Sequence, residues 1–350
     1  MAITKTADRR RMERRVSLVD RFSVLLVALA ATMWASDVYF RSHLVHLTAS
    51  QIVVAEDLLI TLGMLPFLIL GWKEMRRLPL TGWVAIALIA IGPQAIATLL
   101  FTQSFKLAAQ HQLFAETYVL QQTQPLIAIV LAWIILGERR RAWFWPIVVV
   151  AIGAVYLVLF ASECQLGGCW HGIPTSPITG LQHGDVAVGF FALGAAALWA
   201  SGTVLGRFVL GILSFQSTTA LRFTLALPVL IAVVLLQSGP NAFGQYRSDD
   251  IVPFIGIALI PGLMALLLYY RALASTPATL ATIAEMAYPV AATIIASAPV
   301  VIVLGVQLSF GQHLYPAQAL GTVLLIGVIA LLNWTKLRTP PVVVQEEAAA

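Results

Sequence analysis

The sequence predicts an all-α polytopic membrane protein, with ten transmembrane helices as two inverted five-helix repeats. Three observations carry this. Of 350 residues, 59% are apolar and only 11% charged, and the mean hydropathy is +0.88; soluble domains run about 45–50% apolar and about 25% charged. The apolar residues gather in runs long enough to cross a bilayer, which takes about 20 of them in a helix. The second half of the chain also repeats landmarks of the first. This composition excludes a soluble enzyme, a disordered chain and a nucleic-acid-binding domain. The formal charge of +5 arises from basic residues beside apolar runs, where they act as orientation signals.

Charges mark the boundaries. Residues 78–105, 186–206 and 286–335 contain no Asp, Glu, Lys or Arg, and the last stretch is too long for one crossing. A basic segment precedes the first span, 22–40, and Arg41 follows it. The second, 49–71, runs to Lys73, Arg76 and Arg77. The third, 80–104, stops before Lys106, and the fourth and fifth, 112–136 and 143–160, flank Arg139, Arg140 and Arg141. The sixth, 184–206, ends at Arg207; the seventh, 215–236, and the eighth, 251–270, lie on either side of Arg247, with Arg271 beyond. The ninth and tenth, 277–303 and 314–334, share the long uncharged stretch, which Lys336 and Arg338 close. Barrel strands would instead be about 10 alternating residues long. Ala28-Leu29-Ala30 after the arginines at 9–15 imitates a signal-peptide cleavage site, but the apolar run continues through Trp34. It reads as a retained span.

With the N-terminus inside, the inner positions hold 17 Lys and Arg and the outer ones 3. That bias puts both termini in the cytoplasm. The expected organisation is a cytoplasmic basic segment (1–21), a first repeat (22–160), a periplasmic loop (161–183), a second repeat (184–335) and a cytoplasmic tail (336–350) in a bacterial inner membrane. Cys164 and Cys169 share the periplasmic loop. In that oxidising compartment a disulfide across the flexible Gln-Leu-Gly-Gly is expected.

Trp34-Ala35-Ser36 recurs as Trp199-Ala200-Ser201, 165 positions later, and Pro125 recurs as Pro289, 164 later. Gly137 and Gly153 match Gly311 and Gly327 at 174, so the second half carries extra apolar residues near 298–310. A unit of five spans is odd, so the second copy enters the membrane inverted. Inverted repeats are a hallmark of secondary transporters, whose halves rock about a central site.

The runs Ala30-Ala31-Thr32-Met33-Trp34-Ala35-Ser36, Leu198-Trp199-Ala200-Ser201-Gly202, Ala220-Leu221-Arg222-Phe223, Leu136-Gly137-Glu138-Arg139 and Tyr288-Pro289-Val290 resemble the EamA-type branch of the drug/metabolite transporter superfamily. The resemblance covers roughly residues 20–335. It implies the ten-span layout and the export or exchange of small organic metabolites such as amino acids. Gly311-Gln312 stands where the first half has Gly137-Glu138, and the apolar insertion is a second departure.

An ionisable group within a span costs about 2.5–3.5 kcal/mol on insertion scales and is a functional candidate. Those here are Asp37, Glu56, Asp57, Glu116, Arg222 and Glu285. Asp37 and Arg41 read as an i,i+4 pair, and Glu116 as a solvated helix start. Glu56 and Asp57 point about 100° apart on their helix and face different partners. Arg222 is the repeat mate of Asp57; it either snorkels to the headgroups or faces the site. Glu285, near the membrane midplane, has Gln121 as its mate, and Tyr288 has Gln124. Pro289 and Pro125 follow four positions after Glu285 and Gln121, deprive their carbonyls of helical partners and serve as candidate hinges. The candidate substrate-binding set is Glu285, Tyr288, Gln121, Gln124, Trp34, Trp199, Asp57 and Arg222. Glu285 would hold a substrate amine, carry a proton as coupling ion, or simply bridge helices.

No HExxH, metal-ligand cluster or Walker A sequence occurs, so no metal, cofactor or ATP-driven engine is expected. The expected partners are a small-molecule substrate and the lipid bilayer. A channel, a structural membrane subunit or, further off, a membrane-embedded enzyme are the rival readings.

Overall fold

The structure is a computed structural model and describes residues 18–111, 121, 123–138, 140–159, 185–297, 302–303, 306–307 and 316–338. Its helices are α1 (Ser23–Trp34, continued beyond a break by Asp37–Arg41), α2 (Ala49–Leu70), α3 (residues 80–111), α4 (Gln124–Leu136), α5 (Phe144–Leu159), α6 (Asp185–Val209), α7 (Phe215–Ser238), α8 (residues 251–273), α9 (residues 278–297) and α10 (Pro316–Arg338). Six segments are long and apolar enough to cross a bilayer: Ser23–Leu44, Ala49–Leu70, Leu80–Leu107, Ala187–Val209, Phe215–Ser238 and Ser248–Leu273. Leu236, Leu70, Leu80, Ile69, Phe190 and Val149 are exposed, an apolar surface of the kind that faces lipid or another protein.

The packing repeats itself when the halves are exchanged. α2 lies along α7, and α5 along α10. α1 packs on α8 and α9, while α6 packs on α3 and α4. These are the pairings that a two-fold five-helix repeat produces.

Several helices are interrupted, each for a local reason. In α1 the Ser36 hydroxyl donates to the Met33 carbonyl at 2.8 Å, the kind of back-bonding that bends helices. In α3 and α8 a wide π-type turn, Ala90–Ile96 and Ala258–Met264, surrounds Pro93 and Pro261. Proline lacks an N–H and clashes with the carbonyl four residues back, and the wider turn accommodates both defects. The two turns are 168 positions apart. α9 consists of Ala278–Glu285 and Ala287–Ser297, broken at Met286.

One expectation needs correction. The span predicted over 277–303 ends as a helix at Ser297, and Ile302–Val303 pairs antiparallel with Val306–Gln307. The β-branched run Val300-Val301-Ile302-Val303 favours extended backbone over helix. Within the apolar insertion, Ile302–Val303 and Val306–Gln307 form the one strand pair among the described residues.

Side-chain hydrogen bonds tie both ends of the α2–α7 pair. At the end carrying Lys73, Arg76, Arg140 and Arg207, Glu74 accepts from the Ser214 backbone N–H (2.5 Å) and from the Ser214 and Ser217 hydroxyls (2.7 Å each) at the start of α7. At the opposite end, Gln51 at the start of α2 donates to the Ala242 carbonyl at 2.7 Å. Tyr246 donates to the Gln51 carbonyl at 2.8 Å. Burial, and then Asp250, pushes the Tyr246 phenol up to about 12, so it remains a donor across the working pH range. In each case the segment after one helix is hydrogen-bonded to the start of the other.

A cap joins α4 to α9. Gly137 adopts φ +66°, a left-handed conformation favouring glycine, and this turn sends Glu138 towards α9. The Glu138 carboxylate accepts from the backbone N–H groups of Ala278 (2.9 Å) and Thr279 (3.1 Å) and from the Thr279 hydroxyl (2.8 Å). Arg140 bonds the same carboxylate at 3.2 Å. Glu138→Ala leaves two helix-start donors unpaired and is expected to cost about 1–3 kcal/mol. Thermal unfolding of the purified variant measures this; an unchanged midpoint would show the cap to be dispensable.

Candidate functional site

A cavity of about 190 Å³ lies between the two halves, with walls from α1, α2, α3, α6, α7, α8, α9 and the start of α4. Two aromatic pairs flank it. Trp34 lies against Tyr269 with ring centroids 5.1 Å apart at 51°, and Trp199 lies against Phe101, also at 5.1 Å and at 53°. Trp34 and Trp199 are repeat mates, and Phe101 and Tyr269 are 168 positions apart, as are Pro93 and Pro261. Each half therefore supplies one tryptophan to the other half's aromatic ring. The Trp199 indole N–H donates to the Pro93 carbonyl at 3.0 Å, inside the wide turn of α3.

Three polar groups sit in or behind these walls. The first is Glu285, at the break in α9 and 9% exposed. Its Oε1 accepts from Tyr269 (2.7 Å) and Thr203 (3.2 Å), and its Oε2 from Gln124 (2.8 Å). No described cation forms an ion pair with it. The Gln121 side-chain oxygen is buried, lines the same cavity and has no hydrogen-bond partner among the described residues.

The second group links the repeat mates Asp57 and Arg222. Gln94 donates to Asp57 Oδ1 at 3.1 Å and accepts from Arg222 Nε at 2.6 Å. Arg222 also donates to the Tyr270 hydroxyl at 2.9 Å and lies 5.8 Å from the centroid of that ring. It is 8% exposed and lines the cavity, so it does not snorkel. Asp57 is fully buried behind the wall, its Oδ2 unpartnered among the described residues.

The third group is Arg41, which bonds Asp37 at 2.5 Å and Glu56 at 2.6 Å, with all three side chains largely buried. The i,i+4 pair foreseen between Asp37 and Arg41 is present, and Glu56 joins it from α2. All three line the cavity.

The structure thus brings Glu285, Tyr288, Gln121, Gln124, Trp34, Trp199 and Arg222 to one cavity and leaves Asp57 one side chain behind it. Pro125 and Pro289 each lie within the first three residues of a helical piece. Glu116, Cys164 and Cys169 lie outside the described residues. Gly202 and Gly206 serve packing within the chain, against Pro93 and Tyr270. Gln94, one of several span glutamines that the sequence offers as hydrogen-bonding links between helices, fills that role between Asp57 and Arg222; sequence reasoning missed Tyr269, Thr203 and the cavity role of Arg41. The shared offset of Pro93 with Pro261 and of Phe101 with Tyr269 was the available signal.

Comparison with known proteins agrees with this architecture. The model of the EamA-like transporter family matches residues 21–160 and again 187–334. Riboflavin transporter ImpX of Fusobacterium nucleatum subsp. nucleatum (strain ATCC 23726 / VPI 4351) is 28% identical over 333 residues, covering 89% of this chain and 97% of the relative. A solved crystal structure at 17% identity superposes with a TM-score of 0.61 over 90% of this chain and 98% of its own, which shows the shared fold. Two family matches, one on each half, and a cavity built from both halves lead to one conclusion: the chain belongs to the EamA-like transporter family and is an integral membrane transporter, not an enzyme.

Proposed function

We propose that the protein is a secondary transporter that exports or exchanges small organic metabolites such as amino acids by alternating access. The observation that carries this is the cavity, walled by matched residues of both halves. Rocking one half against the other would move the walls in opposite senses while the central groups stay in place. We propose further that the chain crosses a bacterial inner membrane ten times with both termini in the cytoplasm, the Glu74 and Glu138 caps lying on the cytoplasmic side. The charge bias supports that orientation.

A second reading is favoured by the two aromatic pairs, which suit a flat heterocycle, and by the relative described as a riboflavin transporter. The cavity of about 190 Å³ is smaller than the roughly 300–1,000 Å³ of drug-sized ligand pockets. It suits a substrate of amino-acid size, and a flavin would need it to open further. Counterflow into proteoliposomes, preloaded with an amino-acid mixture or with riboflavin, separates the readings. A carrier shows saturable uptake of label stimulated by substrate on the far side, whereas a channel shows none. Orientation is testable by cysteine labelling: substitutions at 139–141 are expected to resist an impermeant reagent in intact cells, and modification there would reverse the topology.

A further inference from the structure

We propose that the Glu285 corner of the cavity is a recognition site for a protonated nitrogen, so that the substrate carries an ammonium-type cation; this rests on the cavity being the transport site. A carboxylate offers about four acceptor positions, and the three bonds to Glu285 all come from neutral groups: Tyr269, Thr203 and Gln124. No described ion pair supplies the missing positive charge. The two guanidinium groups in the cavity wall bond other groups, Arg222 to Gln94 and Tyr270, and Arg41 to Asp37 and Glu56, with Arg41 Nη1 left without a partner among the described residues, and neither bonds Glu285.

A second observation is independent of the charge. The buried Gln121 oxygen, on the same wall, is an acceptor with no donor among the described residues. A buried polar atom left this way costs about 1–3 kcal/mol, which a ligand donor would recover. An ammonium carries three donors and no acceptor. It satisfies a carboxylate and a carbonyl oxygen together, whereas a substrate hydroxyl has one donor and an anion has none. The faces of Trp34 and Tyr269, both in the wall, add cation–π attraction within about 6 Å of a ring centroid. Formal charge points the same way. The cavity is lined by the carboxylates of Asp37, Glu56 and Glu285 against the guanidiniums of Arg41 and Arg222, which disfavours an anionic substrate.

The test uses purified full-length protein and three probes of one shape: phenethylammonium, 2-phenylethanol and phenylacetate. Binding is read from quenching of tryptophan fluorescence. Wild type is expected to bind the ammonium about tenfold or more tighter than the alcohol, the scale of a hydrogen bond to a charged group, and phenylacetate most weakly. E285Q is expected to abolish the advantage of the ammonium over the alcohol, and an unfolding midpoint near that of wild type shows that the variant is folded. Q121L is expected to weaken the ammonium by about threefold. Equal binding of ammonium and alcohol, no ammonium binding at millimolar concentration, or an E285Q protein that still prefers the ammonium would overturn the proposal. If E285Q does not fold, the wild-type series alone decides. Counterflow of riboflavin by a protein without ammonium preference would leave the transporter reading standing and remove this one.

Discussion

Arg222→Met is expected to destabilise the protein by about 3–5 kcal/mol, the usual cost of removing one partner from a buried charged group. The guanidinium lies inside the helix bundle, 8% exposed, and acts on Asp57 through Gln94. Without it, Gln94 loses its donor, the Tyr270 oxygen loses another, and Asp57 stays in the core with one oxygen already unpartnered among the described residues. Methionine fills most of the volume, so the loss is one of polar satisfaction and charge. The same logic predicts partial rescue. Asp57→Asn removes the stranded carboxylate, so the double variant should regain about half of the loss, the coupling expected of residues in one network. Thermal unfolding and detergent-soluble yield of the two single variants and the double report this. Strictly additive losses would mean that Asp57 and Arg222 are energetically separate despite their shared glutamine.

Those two residues show what the sequence makes legible. A membrane span is a one-dimensional signal, because length and apolarity alone decide whether a helix can cross. The inverted repeat is almost as legible, because tryptophan and proline recur at a steady offset. The 165-position interval already pairs Asp57 with Arg222, and the 164-position interval pairs Glu285 with Gln121 and Tyr288 with Gln124. The offset cannot supply the bridging atom. Gln94 is one of several span glutamines able to bond between helices, and which partners it takes follows from the wide turn around Pro93 that sets it between two helices. Tyr269 and Thr203 escape for a similar reason, since hydroxyls in membrane helices commonly bond their own backbone or a neighbouring helix. Arg41 was satisfied locally by Asp37, which hid its second partner, Glu56, 15 residues further on. The extended pair at 302–307 was obscured by apolarity, which β-branched strands and buried helices share.

Gly202→Ala is expected to cost about 1–3 kcal/mol, although alanine ordinarily stabilises a helix interior by about 1 kcal/mol over glycine. At this position α6 crosses α3 against the wide turn, and a Cβ would fall 2.7 Å from Pro93 Cβ and 2.8 Å from its Cγ. Those atoms belong to a ring that cannot rotate away, so the helices themselves must separate. Separation lengthens the bond from the Trp199 indole to the Pro93 carbonyl, now 3.0 Å, and shifts Thr203, which bonds Glu285. Stability and counterflow should therefore fall together. Gly194 supplies the control on the same helix: its added Cβ would meet only Leu100 Cδ1, at 3.0 Å, the far end of a side chain that can change rotamer. Gly194→Ala should accordingly be neutral or mildly stabilising, because the propensity gain survives where the clash does not. The comparison holds helix, substitution and membrane environment fixed and varies only what the methyl group meets. Similar unfolding midpoints for the two variants would mean that the α3–α6 crossing can open without cost and that the proline contact does not hold the cavity wall in place.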